Sequence, residues 1–144
     1  MKRIFLILST CLFLITGCGS KELDLDNVYK NLESEYKGFV EVSESTLEGV
    51  YGIDLNEFSS HLVVMSEDNA TSKMYAVFEA KESVDDALYE VKYFVDNYEK
   101  TWLNGYFPKE EKLVKDGVLE TYGNYIIYVV NSDTNRILKL IKKN

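Results

Sequence analysis

The chain has 144 residues and a formal net charge of −8, with 24 acidic residues against 16 lysines and arginines. Because it offers no basic surface to neutralise phosphates, this composition argues against nucleic-acid binding. The chain contains one histidine and two cysteines. Since zinc sites usually need several Cys or His ligands, the composition also argues against a zinc enzyme.

The first seventeen residues have the features of a signal peptide. Lys2 and Arg3 form a short positive region, and an uncharged, mostly apolar run follows over residues 4–15. That run suits the hydrophobic region of a signal peptide and is too short for a membrane-spanning helix, which needs about 20 apolar residues. We therefore expect the rest of the chain to be exported.

The end of this region resembles the bacterial lipobox, in which a branched apolar residue and two small residues precede a cysteine. Here the matching residues are Leu14 to Cys18. The resemblance implies cleavage after Gly17, diacylglyceryl transfer to the Cys18 thiol, and anchoring at the outer face of the cell membrane. One acyl chain alone gives only marginal binding, whereas two hold a protein firmly. The alternatives are an ordinary secretory signal with an incidental cysteine, and an uncleaved anchor.

Cleavage would leave an acidic domain close to the membrane. Residues 18–144 contain 14 lysines and arginines and 24 acidic residues, a net charge of −10. A tether of residues 18–23 precedes the domain at 24–144, and its five residues after Cys18 reach roughly 17 Å when extended. Since anionic headgroups repel this charge, the lipid must hold the domain. Cys11 leaves with the signal peptide, so the domain can form no internal disulfide.

Capping residues and apolar residues at helical spacing predict four helices in this domain. They are a first helix from Asp24 or Asp26 to near Gly38, a short second from Ser43 or Ser45 to Gly52, a long third over 84–103 after Ser83, and a last one after Asp133. Residues 54–59 suggest one more turn, and Gly105 and Pro108 end the long helix.

Two pairs of strands are predicted between the helices. The first pair is Leu62–Met65 and Met74–Ala80, and the second covers residues 118–122 and 125–130. The second pair flanks Gly123-Asn124, a dipeptide typical of tight hairpins. The order ααββαββα predicts a single α+β domain with an antiparallel sheet of about four strands.

The last strand is apolar on both of its alternating faces, which predicts that the sheet is covered on both sides. We expect the long and C-terminal helices to cover one face and the N-terminal helices to cover the other. The alternative is an aromatic sheet face left open to a partner.

No catalytic or metal-binding constellation stands out. The only histidine is His61, and no nucleophile-elbow sequence accompanies any serine that a triad would need. We interpret His61 as a structural, partly exposed residue at the start of a strand. The segment Glu67-Asp68-Asn69 lacks the spacing of an EF-hand loop, so we interpret it as a solvated turn. We predict no enzyme activity, no cofactor and no metal.

Eleven tyrosines lie in the exported part of the chain, and two of them are candidate interface residues. Tyr89 and Tyr93 are four residues apart on the long helix and point away from its apolar face. Exposed tyrosines are common in interfaces because they bury a large area at low entropic cost. The alternatives are a surface pair without a partner, and burial under the N-terminal helices.

Four segments resemble a known family, the DUF4358 lipoproteins of Gram-positive bacteria. They are residues 51–54 (YGID), 65–70 (MSEDNA), 77–81 (VFEAK) and 123–125 (GNY), the last followed by a strand. The similarity covers about residues 45 to 140. Because the family is uncharacterised, the resemblance implies an envelope location and a shared domain, and it supplies no activity or site residues.

These observations favour a non-enzymatic module of the cell envelope that binds a protein or wall component near the membrane. One alternative is an inhibitor or immunity-type lipoprotein whose acidic surface masks a basic toxin or hydrolase. Another is a hydrolase that uses paired carboxylates on wall polymers. The sequence does not decide the oligomeric state.

Overall fold

A computed structural model describes residues 21–144 of the chain. Gly17 and Cys18, the predicted cleavage and lipidation residues, lie outside the described residues. Within residues 21–144, no helix is long and apolar enough to cross a membrane.

The described residues form an α+β domain around one antiparallel sheet. Its helices are α1 (Leu25–Leu32), α2 (Glu44–Gly49), α3 (Val84–Trp102), α4 (Pro108–Lys115) and α5 (Thr134–Lys142), with a 3₁₀ turn at Leu55–Glu57. Its strands are β1 (Phe39–Glu41), β2 (Phe58–Ser66), β3 (Met74–Ala80), β4 (Val118–Tyr122) and β5 (Tyr125–Val130), in the spatial order β1-β2-β3-β5-β4. The predicted fold class is confirmed, with one strand more than expected.

The predicted helix starts are confirmed by their capping hydrogen bonds. The side chains of Asp24, Ser43, Ser83 and Asp133 each accept a hydrogen bond from a backbone N–H in the first turn of the helix that follows. Such caps satisfy donors that have no partner inside the helix. The predicted Gly123-Asn124 turn also joins β4 to β5.

Two elements were not predicted. β1 has only three residues, and its pairing with the end of β2 supplies the stability that its short apolar run lacks. Pro108 does not merely end the long helix, because it is also the first residue of α4. Proline is tolerated there since the first turn of a helix leaves its N–H groups unpaired. β2 also begins four residues earlier than expected, so His61 lies inside the strand.

Both faces of the sheet are covered, as the sequence indicated for β5. All six residues of β5 are buried. One face packs against α2, α3 and α4, and we call it the α3 face; the other packs against α1 and α5. The expectation that the long and C-terminal helices share a face is wrong. After β5, Asn131 donates a hydrogen bond to the hydroxyl of Tyr36 (3.0 Å), in the segment that follows α1.

The two ends of the sheet differ. At the end that we call the hairpin end, the β4–β5 turn lies beside the last residue of β3, since Ala80 N donates to Asn124 O (2.8 Å). At the loop end, Met74 pairs with Met65 and Val130, and residues 67–73 connect β2 to β3. β3 runs from one end to the other, so the ends lie about 20 Å apart at about 3.3 Å per residue.

The chain enters the fold at the hairpin end. Leu23 N donates a hydrogen bond to the Tyr125 hydroxyl (3.1 Å), and the Leu23 side chain is buried. Lys21 Nζ lies 4.3 Å from the centre of the Tyr122 ring. The first described residues are therefore fixed to the β4–β5 hairpin.

Candidate binding groove

A groove lies at the loop end of the α3 face. It consists of two hollows of about 450 and 350 Å³ that share Val50, Tyr51 and Asn69. β1 and β2 contribute to one hollow, and the last turn of α3 and the start of α4 contribute to the other. We call it the loop-end groove and define it by its apolar lining residues, which are Val40, Val42, Val50, Tyr51, Met65, Trp102 and Phe107.

Tyr51 forms the middle of the groove and is held from three sides. Its ring packs edge-on against Phe94, with 5.3 Å between the ring centres. Its hydroxyl donates to Met65 Sδ (3.5 Å), and Asn97 Nδ2 donates to its carbonyl oxygen (2.8 Å). Burial raises the pKa of Tyr51, so the hydroxyl stays neutral. These contacts hold Tyr51 in one position, and we call this side chain with Phe94 the floor of the groove. A surface that is already ordered lowers the entropic cost of binding.

Large apolar side chains of the groove are exposed to solvent. Val50 is 66% exposed and Phe107 is 55% exposed. Trp102 is buried, and its ring meets that of Phe107 with 6.2 Å between their centres. Leu103 and Tyr106, which are close to Phe107 in the sequence, are also exposed. Contiguous apolar patches on a folded domain mark interaction sites or ligand grooves.

The loop that borders the groove is fastened to α4 by Glu110. One oxygen of its carboxylate, Oε2, accepts hydrogen bonds from Ser72 N (2.6 Å), Ser72 Oγ (2.8 Å) and Thr71 Oγ1 (3.0 Å). Tyr98 Oη donates to the Ser72 carbonyl (2.5 Å). Partial burial tends to raise the pKa of Glu110, but the hydrogen bonds from Ser72 and Thr71 outweigh it and the net pKa is lowered. Sequence reasoning missed Glu110 because it missed α4.

Acidic side chains border the groove. Glu41 and Glu67 line it, and Glu44 lines an adjoining notch of about 590 Å³ that shares Glu41 with the groove. In the described part of the chain, no lysine or arginine lines either the groove or the notch. Lys100 stands beside the groove, with Nζ 3.5 Å from Asn97 Oδ1.

The predicted interface tyrosines point to solvent, and one of them adjoins the groove. Tyr89 is 73% exposed and Tyr93 is 49% exposed, so burial under the N-terminal helices is wrong. The Tyr93 ring lies against Gly52, where an added Cβ would be 3.1 Å from Tyr93 Cε1. Because Gly52 follows Tyr51, Tyr93 lies at the border of the groove. Tyr89 does not line it.

Of the polar residues considered for catalysis or metal binding, Glu67 and Asn69 line the groove, whereas His61 and Asp68 do not. His61 is half-buried and lines the notch. Asp68 Oδ1 accepts hydrogen bonds from Ser66 Oγ (2.6 Å) and Ala70 N (3.0 Å), and the Ser66 bond, followed by that from Ala70, lowers its pKa. Across residues 21–144, no three His, Cys, Asp or Glu side chains are grouped to hold a metal ion.

The groove itself was not predicted from the sequence. Trp102 lies in the long predicted helix and Val50 in the short second one, and nothing in the sequence pattern brings these two residues together. The available signal was Tyr106-Phe107, two aromatic residues between Gly105 and Pro108 in a segment expected to be a loop. Large aromatic side chains in a loop are costly to expose, so their presence suggests a contact surface.

A profile of the domain of unknown function DUF4358 matches residues 23–131. The chain belongs to the DUF4358 family. The match includes α1, all five strands and every lining residue of the groove, and it ends before α5. It starts earlier than the similarity expected from about residue 45. No curated protein and no solved structure matches the chain.

Proposed function

We propose that this DUF4358 protein is a lipid-anchored, non-enzymatic module that binds a protein partner in the loop-end groove. The observation that carries the proposal is the exposed apolar surface of Val50 and Phe107 on a rigid aromatic floor. Apolar and aromatic side chains dominate the binding energy of protein interfaces. The apolar lining can bury the apolar side chains of a partner.

The position of the chain's entry into the fold supports a membrane-anchored module. If Cys18 carries lipid, only Gly19 and Ser20 lie between it and Lys21, and the three steps along the chain reach roughly 10 Å. Lys21 is fixed at the hairpin end. Met65 lines the groove and pairs with Met74, the first residue of β3. Along β3, Met74 lies about 20 Å from Ala80 at the hairpin end. In this arrangement the hairpin end faces the membrane and the groove faces away from it.

A second candidate function is supported by the charge at the groove. Glu41 and Glu67 line it, and Glu44 lines the adjoining notch. An inhibitor or immunity-type lipoprotein would use such a surface to mask a basic toxin or hydrolase. It would be recognised by killing of a deletion strain when that toxin is present, whereas loss of a simple binding module would leave resistance unchanged.

Site-specific photocrosslinking in intact cells tests the binding module. A photoreactive residue at position 50 of the full chain should give one discrete crosslinked protein, and Phe107→Asp should abolish it. The matched control is the same residue at position 29, because Tyr29 is 37% exposed on α1, on the opposite face of the sheet. If positions 50 and 29 give the same crosslinked products, the proposed groove function is wrong.

A further inference from the structure

We infer that the partner segment in the loop-end groove is basic, with an apolar side chain for the groove floor and flanking lysines or arginines for the glutamates around it. This inference rests on the proposed function and specifies the chemistry of its partner. The glutamates at the groove favour a basic segment and disfavour anionic occupants.

The glutamates at the groove are available for a partner. Glu41, Glu44 and Glu67 are exposed, and none of them forms an ion pair within the described part of the chain. Other carboxylates of the domain do form ion pairs. Glu35 binds Arg136 through both oxygens, at 2.6 and 2.7 Å, and Glu120 is paired with Lys142. Glu41, Glu44 and Glu67 therefore place three carboxylates that no cation of the described residues neutralises beside the exposed apolar surface of the groove.

The glutamates also disfavour other occupants of the groove. A second copy of this chain would bring its own acidic groove and a net charge of −10 for residues 18–144. Anionic lipids, anionic wall polymers and nucleic acids would be repelled for the same reason. A basic segment is attracted, and the complementary charge would both speed its association and fix its orientation.

The single tryptophan offers a direct measurement of groove occupancy. Trp102 is the only tryptophan of the chain, and its ring lies against Phe107 in the groove. The probe is a synthetic twelve-residue peptide that alternates leucine with lysine, added to the full chain in non-ionic detergent. A peptide with glutamate in place of lysine is the comparison. We expect the lysine peptide to change the Trp102 emission and to bind at least about tenfold more tightly, which corresponds to about 1.4 kcal/mol.

A matched pair of charge variants separates the groove from the overall charge. The groove variant combines Glu41→Gln, Glu44→Gln and Glu67→Gln, and should lose most of the preference for the lysine peptide. The control variant combines Glu22→Gln, Glu33→Gln and Glu82→Gln, which makes the same change in net charge at exposed positions outside the groove and notch. It should keep the preference. Because all six glutamates are exposed, both variants should retain the circular-dichroism spectrum of the unmodified chain.

The outcomes separate this inference from the proposed function. A lysine peptide that binds no better than the glutamate peptide overturns the basic partner, and so does an equal loss of preference in the two variants. Neither result affects the crosslink at position 50, which tests the groove itself. If that crosslink is absent while peptide preference is lost only in the groove variant, the basic-ligand site stands and the protein partner does not.

Discussion

Aromatic residues at the hairpin end of the sheet contact the chain's N-terminal segment, whereas those at the loop end include exposed ones. At the hairpin end, Tyr125 is buried and its hydroxyl accepts a hydrogen bond from Leu23, and Tyr122 lies under the ammonium group of Lys21. At the loop end, Tyr106 and Phe107 are exposed. One end is therefore closed by the chain's own N-terminal segment, and the other is left open. This difference is what we expect of a domain attached at one end and engaged by a partner at the other.

The largest effect is expected from the proposed lipid anchor at Cys18. Cys18→Ala should abolish lipid labelling and release the domain from membranes, because two acyl chains supply the binding that the acidic domain lacks. Membrane fractionation with radiolabelled palmitate measures both. Cys11→Ala is the matched control, since that cysteine would leave with the signal peptide, and it should change neither. A Cys18→Ala protein that stays in the membrane fraction would contradict the anchor.

The two ends should also differ in what they contribute to stability. Leu23→Ala removes a buried side chain at the hairpin end and should lower the free energy of unfolding by about 2 kcal/mol or more. Val50→Ala removes an exposed side chain at the loop end and should change it by less than about 0.5 kcal/mol. Urea denaturation of both variants measures the difference. Equal losses would mean that Val50 belongs to the core and that the groove is part of the fold.

The border of the groove should depend on pH through Glu110. Glu110→Gln weakens the bonds to Ser72 and Thr71 and should cost roughly 2 kcal/mol at neutral pH, in the lower part of the range for charged hydrogen bonds because Glu110 is partly exposed. The pKa of Glu110 is lowered in the folded state, so the unfolded state binds more protons and stability rises with pH.

The stability difference between the unmodified chain and Glu110→Gln should therefore be complete above the unfolded pKa. It should shrink as the pH falls through the lowered pKa of the folded state. Urea titrations across this range measure it, and Glu67→Gln, which changes an exposed glutamate on the same loop, is the control. A difference that grows on acidification would contradict the assigned role of Glu110.

Features that depend on residues close together in the sequence were predicted, whereas features that depend on distant residues were not. Helix caps such as Ser83 and the turn at Gly123 depend on residues a few positions apart, so their patterns predict them. β1 and α4 depend on distant partners: β1 forms against the end of β2, and α4 is fastened through Glu110 to Ser72, 38 residues away. The groove needs both elements and therefore could not be placed. Tyr93 was identified, but its position beside the groove requires the contact with Gly52.

The smallest expected effect concerns the two predicted interface tyrosines, which lie one helical turn apart on α3. Tyr93 adjoins the groove at Gly52, whereas Tyr89 lies one turn further from it. Because both are exposed, Tyr93→Ser and Tyr89→Ser should each change stability by less than about 0.5 kcal/mol. Tyr93→Ser should weaken crosslinking from position 50 a few-fold, and Tyr89→Ser should leave it unchanged. An equal loss from both would extend the binding surface along α3 beyond the groove, and no loss from Tyr93→Ser would confine it to Val50, Trp102 and Phe107.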